Sequence, residues 1–265
     1  PGGFNIRTDY TPRFDIRKRF DLDERGNPQR AVDRAARRYD DYFSWQSNTI
    51  LNWSEEFGDH RLSFTGLYNT ERNQSWTTRA ITNNFSPTAA LGFRALDLGL
   101  NPTMSSYDEI NSRTGFMGRI SYAFSNKYNF SASIRRDGFS RFGLENLYGN
   151  FPSISGAWTI SNEDFMQSVS TLNYLKLRLS YGVNGNSSGL EDYNAYAQID
   201  SDVFLNYDGG YVPTPYTEIV RIANPMLSWE RTGSFNLGVD FGLFGDRLSG
   251  SLDIYQSETR DLLLD

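Results

Sequence analysis

The sequence contains no cysteine, which excludes disulfide frameworks, thiolate nucleophiles and cysteine-ligated zinc. It has one histidine, His60, too little material for a Ser-His-Asp triad or a histidine-rich metal site. No run of apolar residues is longer than three, whereas a membrane-crossing helix needs roughly 20. That absence does not exclude a membrane, because a transmembrane strand alternates apolar and polar residues and reads as hydrophilic overall. The net charge of −6 over 265 residues gives no basic surface for nucleic acid. The chain opens PGGFNIRTDY, without initiator methionine, signal peptide or lipidation motif, as expected of a piece of a longer protein. Its length allows one large domain or two small ones.

What is present is aromatic residues, 15% of the chain, and a strong period of two. In Tyr128–Arg135, Tyr128, Phe130, Ala132 and Ile134 alternate with Asn129, Ser131, Ser133 and Arg135. In Tyr174–Val183, Leu175, Leu177, Leu179, Tyr181 and Val183 alternate with Tyr174, Lys176, Arg178, Ser180 and Gly182. In Ser234–Gly242, Phe235, Leu237, Val239 and Phe241 share one face. Helical spacing cannot produce this pattern. The same criterion predicts eight strands, near 42–56, 61–71, 113–125, 127–136, 151–160, 173–184, 229–242 and 246–259. They run about 10 residues or more, longer than the usual strand of a soluble sheet. Short connections (FGDH, around Asn126, 161–172, LFGD) alternate with long ones near 72–112, 137–150 and 185–228. Short turns at one end and long loops at the other form the pattern of a bacterial outer-membrane barrel, although a soluble β-sandwich alternates too.

Aromatic residues fall in two bands. Trp53, Phe57, Phe124, Tyr128, Trp158, Phe241 and Phe244 lie near the short turns, and Phe43, Trp45, Tyr68, Phe116 and Phe235 toward the other end, as expected of rings at two membrane interfaces. A one-residue slip of 173–184 would put Lys176 and Arg178 into lipid, at roughly 2–4 kcal/mol each, so the pattern pins the register. The first strand runs toward a short turn and the last away from one, so both ends lie on the long-loop side. An autonomous barrel has both termini on the other side, and an internal arc of a larger barrel is therefore expected.

Few candidate sites stand out. Asp21–Asn27 (DLDERGN) has acids and a glycine at calcium-loop spacing, but Arg25 and Val32 occupy positions that need oxygen ligands, leaving a polar loop as the stronger expectation. His60 reads as a solvent-exposed turn residue. No carboxylate pair has a catalytic spacing, so no enzyme activity and no cofactor are expected. In the long loops Trp76, Phe85, Tyr107, Tyr193, Tyr196, Phe204, Tyr207, Tyr211 and Tyr216 stand among Asn and Asp residues. Rings with amide and carboxylate neighbours suit sugars or peptides; they equally suit loops packed upon themselves or against a partner. Arg119, Arg135, Lys176, Arg178, Asp240 and Asp253 would face a lumen, most of them toward a plug.

The run RRDGFSRFGLENLYGNFPSISGAWTISNEDF, from Arg135, resembles the barrel signature of SusC/RagA-type TonB-dependent outer-membrane transporters. LKLRLSYGVNGN (Leu175–Asn186), NPMLSWERT (Asn224–Thr232) and DFGLFGDRLSGSLDIYQSETRDLLL (Asp240–Leu264) follow in family order, and Asn48–Arg72 is similar to an earlier hairpin. The resemblance covers residues 42–265; residues 1–41 are expected to be a surface loop. It implies an all-β, antiparallel transmembrane arc of about eight strands from a plugged barrel of about 22. It also implies import of a glycan or peptide, a SusD-like lipoprotein over the extracellular mouth, and TonB acting through a segment not in this sequence. The TonB box, plug and closing strand would likewise lie outside it. The expected setting is outer-membrane lipid of a Gram-negative, Bacteroides-type bacterium. In the opening run, glycines turn the loop, Asp137 pairs with Arg136 and Arg141 at the rim, and Trp158 returns to the short-turn band. A passive porin or adhesin barrel, or a soluble carbohydrate-binding β-domain, is the alternative.

Overall fold

The structure, a computed structural model, describes residues 3–23, 34–83, 94–207, 211–245 and 247–263. Alternation over most of the chain becomes one antiparallel sheet of nine strands in the order β1-β2-β3-β4-β5-β6-β7-β10-β11. The strands are β1 (Gly3–Asp23), β2 (Arg34–Phe57), β3 (His60–Asn83), β4 (Leu100–Phe124), β5 (Tyr128–Phe139), β6 (Tyr148–Thr159), β7 (Leu172–Asn186), β10 (Glu230–Leu243) and β11 (Leu248–Arg260). β8 (Gln198–Tyr207) and β9 (Tyr211–Arg221) pair separately as a hairpin.

All eight expected strands are present, and β1 makes a ninth where 1–41 was expected to be loop. Phe4, Ile6, Tyr10, Phe14, Ile16 and Phe20 share one face of β1, but Thr8, Pro12 and Lys18 interrupt the stripe. β1 pairs with β2. The expected loop 72–112 is mostly strand, since β3 runs to Asn83 and β4 starts at Leu100. The expected loop 185–228 contains the β8–β9 hairpin.

Contacts divide the chain into two compact units. The first comprises Pro1–Asp9, Asn48–Thr70 and Arg113–Asp265. Its register keeps apolar residues together across strands: Leu237 lies opposite Leu179 on β7 and Ile254 on β11, and Ile154 opposite Tyr181. On the polar face Arg178 makes two 2.9 Å hydrogen bonds to Asp240 and a 3.1 Å ion pair with Asp253. A β-carbon at Gly238 would stand 2.5 Å from Asp253 Oδ1 and 2.7 Å from Arg178 Nη2, so a larger residue here would push this ion pair aside. At the short-turn end, rings follow one another as Phe57–His60–Phe124–Tyr128–Trp158, with centroids 5.4, 4.7, 6.3 and 6.3 Å apart. His60 is therefore not a solvent-exposed turn residue. Its Nδ1 lies 2.7 Å from the Tyr122 hydroxyl and its ring joins the aromatic band. Three residues, Ser125 to Lys127, join β4 to β5, with positive φ at Ser125 and Asn126 and the Lys127 amide donating to the Phe124 carbonyl (2.9 Å); positive φ recurs at Phe244 and Gly245 after β10.

The second unit comprises Tyr10–Ser47 and Glu71–Ser112. Here Tyr10 meets Trp45, Phe14 meets Phe43, and Phe20 meets Tyr39 on one face of the β1–β2 pair. The other face is a polar ladder. Tyr42 donates to Asn73 (2.7 Å), Asn73 to Asn111 (3.1 Å), and Thr77 to Asp40 (2.8 Å), whose carboxylate also takes Arg38 at 2.7 Å. These cross-strand contacts hold the pairing without apolar residues. In the calcium-loop stretch, Asp21–Asp23 close β1, and residues 24–27 lie outside the described residues.

Candidate functional site

In the first unit, three motifs far apart in sequence meet at the long-loop ends. β5 delivers Phe139 and the following loop Phe142; β6 brings Phe151; the segment after β7 brings Leu190; and Trp229 precedes β10. All five are buried, Phe142 completely. Trp229 packs 4.5 Å from Phe142 and 5.4 Å from Phe151, centroid to centroid. Each such ring is worth roughly 1.5–3 kcal/mol when withdrawn from water, enough for a small core that fixes the rim.

Backbone contacts lock the same segments. Trp229 Nε1 donates to the Leu147 carbonyl (3.2 Å), Asn146 Nδ2 to the Met226 carbonyl (3.1 Å), and the Gly143 amide to the Leu227 carbonyl (3.1 Å). A β-carbon at Gly143 would lie 1.9 Å from the Pro225 carbonyl oxygen, so only glycine permits this approach. Arg141 donates to Asp192 at 2.5 Å and to the Leu190 carbonyl, with its guanidinium 5.2 Å from the Phe139 ring centroid. The Asp192 side chain is only 3% exposed. The expected pairing of Asp137 with Arg136 and Arg141 is thus corrected. Asp137 takes Arg135 at 2.6 Å, Arg136 lies over the Tyr148 ring at 4.8 Å, and Arg141 reaches across to Asp192.

Against this core lies a cleft of about 630 Å³, whose walls include Leu190, Glu191, Asn194, Arg221, Leu227 and Leu263. Arg221 donates to Asn194 (2.6 Å) and stands 3.6 Å from Glu191. One wall is apolar, and the other carries a cation, an anion and an amide. That combination suits a ligand with both hydrogen-bonding groups and apolar surface, such as a peptide or a sugar chain.

The aromatic residues predicted as contacts do not form one site. Tyr193 and Tyr196 come together, edge to face at 6.5 Å, exposed, on the turn that carries Asn194 and Ala195. Tyr193 holds φ of +66°, a strained backbone for a tyrosine. Tyr107, in the second unit, donates to Glu109 (2.7 Å) on the polar ladder. Trp76 alternates with Ser75 and Thr77, whose side chains join that ladder, and so occupies the opposite face from Tyr107. Phe204 and Tyr207 belong to β8, Tyr211 and Tyr216 to β9, with Tyr207 in register with Tyr211. Phe85 lies outside the described residues.

Sequence reasoning passed over Arg221, Asn194 and Glu191, polar residues in a segment read for its rings. Their isolated spacing carries no signal, and only the hairpin's return brings Arg221 back beside Asn194.

The TonB dependent receptor-like β-barrel family matches residues 2–265. The chain is 32% identical over 264 residues to TonB-dependent receptor P39 of Formosa agariphila, covering 98% of this chain and 24% of that protein. It is 36% identical over 162 residues to TonB-dependent receptor SusC of Bacteroides thetaiotaomicron, covering 60% of this chain and 16% of SusC. The chain therefore spans about a quarter or less of these relatives' length. Among solved structures, that of the RagAB peptide transporter superposes with a TM-score of 0.83 at 24% identity, covering 99% of this chain and 29% of that one.

Proposed function

The chain belongs to the TonB-dependent receptor β-barrel family, outer-membrane transporters of Gram-negative bacteria and not enzymes, and from that premise we propose that it is part of an active importer of a nutrient oligomer. The cargo is a glycan or a peptide. A SusD-like lipoprotein captures it at the long-loop mouth, and TonB, driven by the proton gradient, acts through a segment outside this sequence. The arc contributes barrel wall and the surface that meets cargo, lipoprotein or both. Tyr193, Tyr196 and the Arg221–Asn194 wall are the contacts favoured within the described residues.

The observation that carries this reading is the rim core. It fixes two long connections, between β5 and β6 and between β7 and β10, around a cleft with one apolar and one charged wall, and this costs a glycine at 143 and a buried acid paired to Arg141 that a plain pore wall does not need. The resemblance of its motifs to SusC/RagA-type transporters supports an oligomer cargo and a lipoprotein partner.

Gentle detergent extraction of the source outer membrane, with capture of the full-length receptor and mass spectrometry of its companions, tests the partnership. One surface lipoprotein in stoichiometric amount is expected. Uptake of labelled oligosaccharides and peptides by cells, with and without a protonophore, tests the coupling. Uptake that survives collapse of the gradient would leave a passive pore instead.

A further inference from the structure

A second cleft, of about 640 Å³, opens on the apolar face of the first unit, at the long-loop ends of β6, β7, β10 and β11. It exists because β6 and β7 stop pairing above Ser153 and Gly182. Its floor is Pro152, Val183 and Phe235, continuous with the apolar stripe of Leu237, Ile254 and Leu179. Its upper edge is charged. Arg231 and Arg260 lie directly opposite each other in the β10–β11 register. Like charges so placed repel, and a folded sheet keeps them only with compensation.

The compensation within the chain is partial. Glu258 takes Arg260 at 2.8 Å. Arg231 is exposed and has no acidic partner among the described residues. Asp261 completes the edge, so two guanidinium groups and two carboxylates crown an apolar floor. In a membrane-embedded barrel this face meets lipid, and charged side chains just beyond an apolar stripe stand where headgroups begin.

We propose that this cleft seats the phosphate-bearing headgroup of a membrane lipid, with the phosphate between Arg231 and Arg260 and an acyl chain along Pro152, Val183 and Phe235. Two parallel N–H donors on each guanidinium match phosphate oxygens, and an anion between the arginines removes their repulsion. Glu258 and Asp261 beside them fit a headgroup that also carries an ammonium. A headgroup with a chain fits the combined polar edge and apolar floor; a free ion would use only the edge. The inference rests on the outer-membrane barrel reading and on no particular cargo.

The test is native mass spectrometry of the full-length receptor in detergent, titrated with lipid A, the phosphorylated lipid of the leaflet that meets the long-loop ends. Wild type is expected to retain bound lipid. Arg231→Ala and Arg260→Ala are expected to weaken retention about tenfold, the loss of one charge-assisted contact. Arg136→Ala, on the same face but outside the cleft, keeps wild-type retention, and unchanged circular dichroism shows that each variant is folded. Equal retention by all four proteins overturns the proposal. So does displacement of the lipid by inorganic phosphate alone, which would leave a simple anion site. Loss of a receptor dimer in Arg231→Ala without change in lipid retention also overturns it, and makes the face an interface between copies. A receptor soluble without detergent would instead overturn the barrel reading beneath it.

Discussion

The indole N–H of Trp158 donates to Glu163 Oε1 at 2.9 Å, tying the end of β6 to the short turn that follows it. The same carboxylate accepts the Tyr128 hydroxyl at 2.5 Å and Lys127 Nζ at 3.0 Å, so one acid gathers the near ends of β5 and β6. The hydrogen bonds from Tyr128, Trp158 and Lys127, in that order, lower the Glu163 pKa from 4.5 to about 2.

A carboxyl whose folded pKa is depressed stabilises the fold above its unfolded value and loses that contribution as pH falls toward the folded one. The thermal stability of wild type should therefore exceed that of Glu163→Gln by a constant amount above pH 4.5, and the gap should shrink as pH falls toward about 2. Parallel melts followed by tryptophan fluorescence measure it. A gap independent of pH would mean that the turn is held by shape, without need of the charge.

The rim core should unfold separately from the wall. Trp229→Ala removes the ring that bridges Phe142 and Phe151, and large-to-small changes of this kind cost about 3–5 kcal/mol. Limited proteolysis should then cut within 140–147 and 187–197 while the strands stay protected. Gly143→Ala, which drives a methyl into the Pro225 carbonyl, should give the same pattern through a different cause.

Arg141 and Asp192 should behave as a unit. Removing one member of a pair whose acid is almost fully buried leaves an uncompensated charge, at about 3–5 kcal/mol. Arg141→Met and Asp192→Asn should each destabilise the rim, and the double variant should cost far less than the sum. A double-mutant cycle on denaturant unfolding checks this; simple additivity would show that the two side chains do not support each other.

Adjacent residues of β7 should differ sharply in tolerance. Leu179→Arg places a charge on the lipid-facing side and should cost roughly 2–4 kcal/mol in refolding into vesicles. Ser180→Arg, one residue along and on the polar face, should cost much less. Equal penalties would refute the assignment of faces.

The strands were legible wherever one face is lipid, because every second residue there must be apolar. Tyr128–Ile134 and Leu175–Val183 needed no other information. Legibility stopped where alternation lost its apolar member. β3 and β4 continue with Arg72, Gln74, Ser106 and Asp108 on the face that is apolar elsewhere, so their extensions were read as loop although backbone pairing persists. Apolar periodicity marks where the membrane lies, not where a strand ends. β1 hid for a related reason, its stripe broken by Thr8, Pro12 and Lys18.

The sequence by itself determined the faces of β5, β7 and β10, the register of β7, and the ring band at the short turns, all of which follow from local period and composition. The family signature was readable too, because its motifs are contiguous. Only the tertiary structure decided what the loop residues do: that Arg141 reaches Asp192, that Gly143 makes room for the Pro225 carbonyl, that Tyr193 joins Tyr196 while Trp76 and Tyr107 part to opposite faces. Those pairings join residues tens of positions apart through loops with no repeating geometry, and no local pattern encodes which loop a side chain will meet.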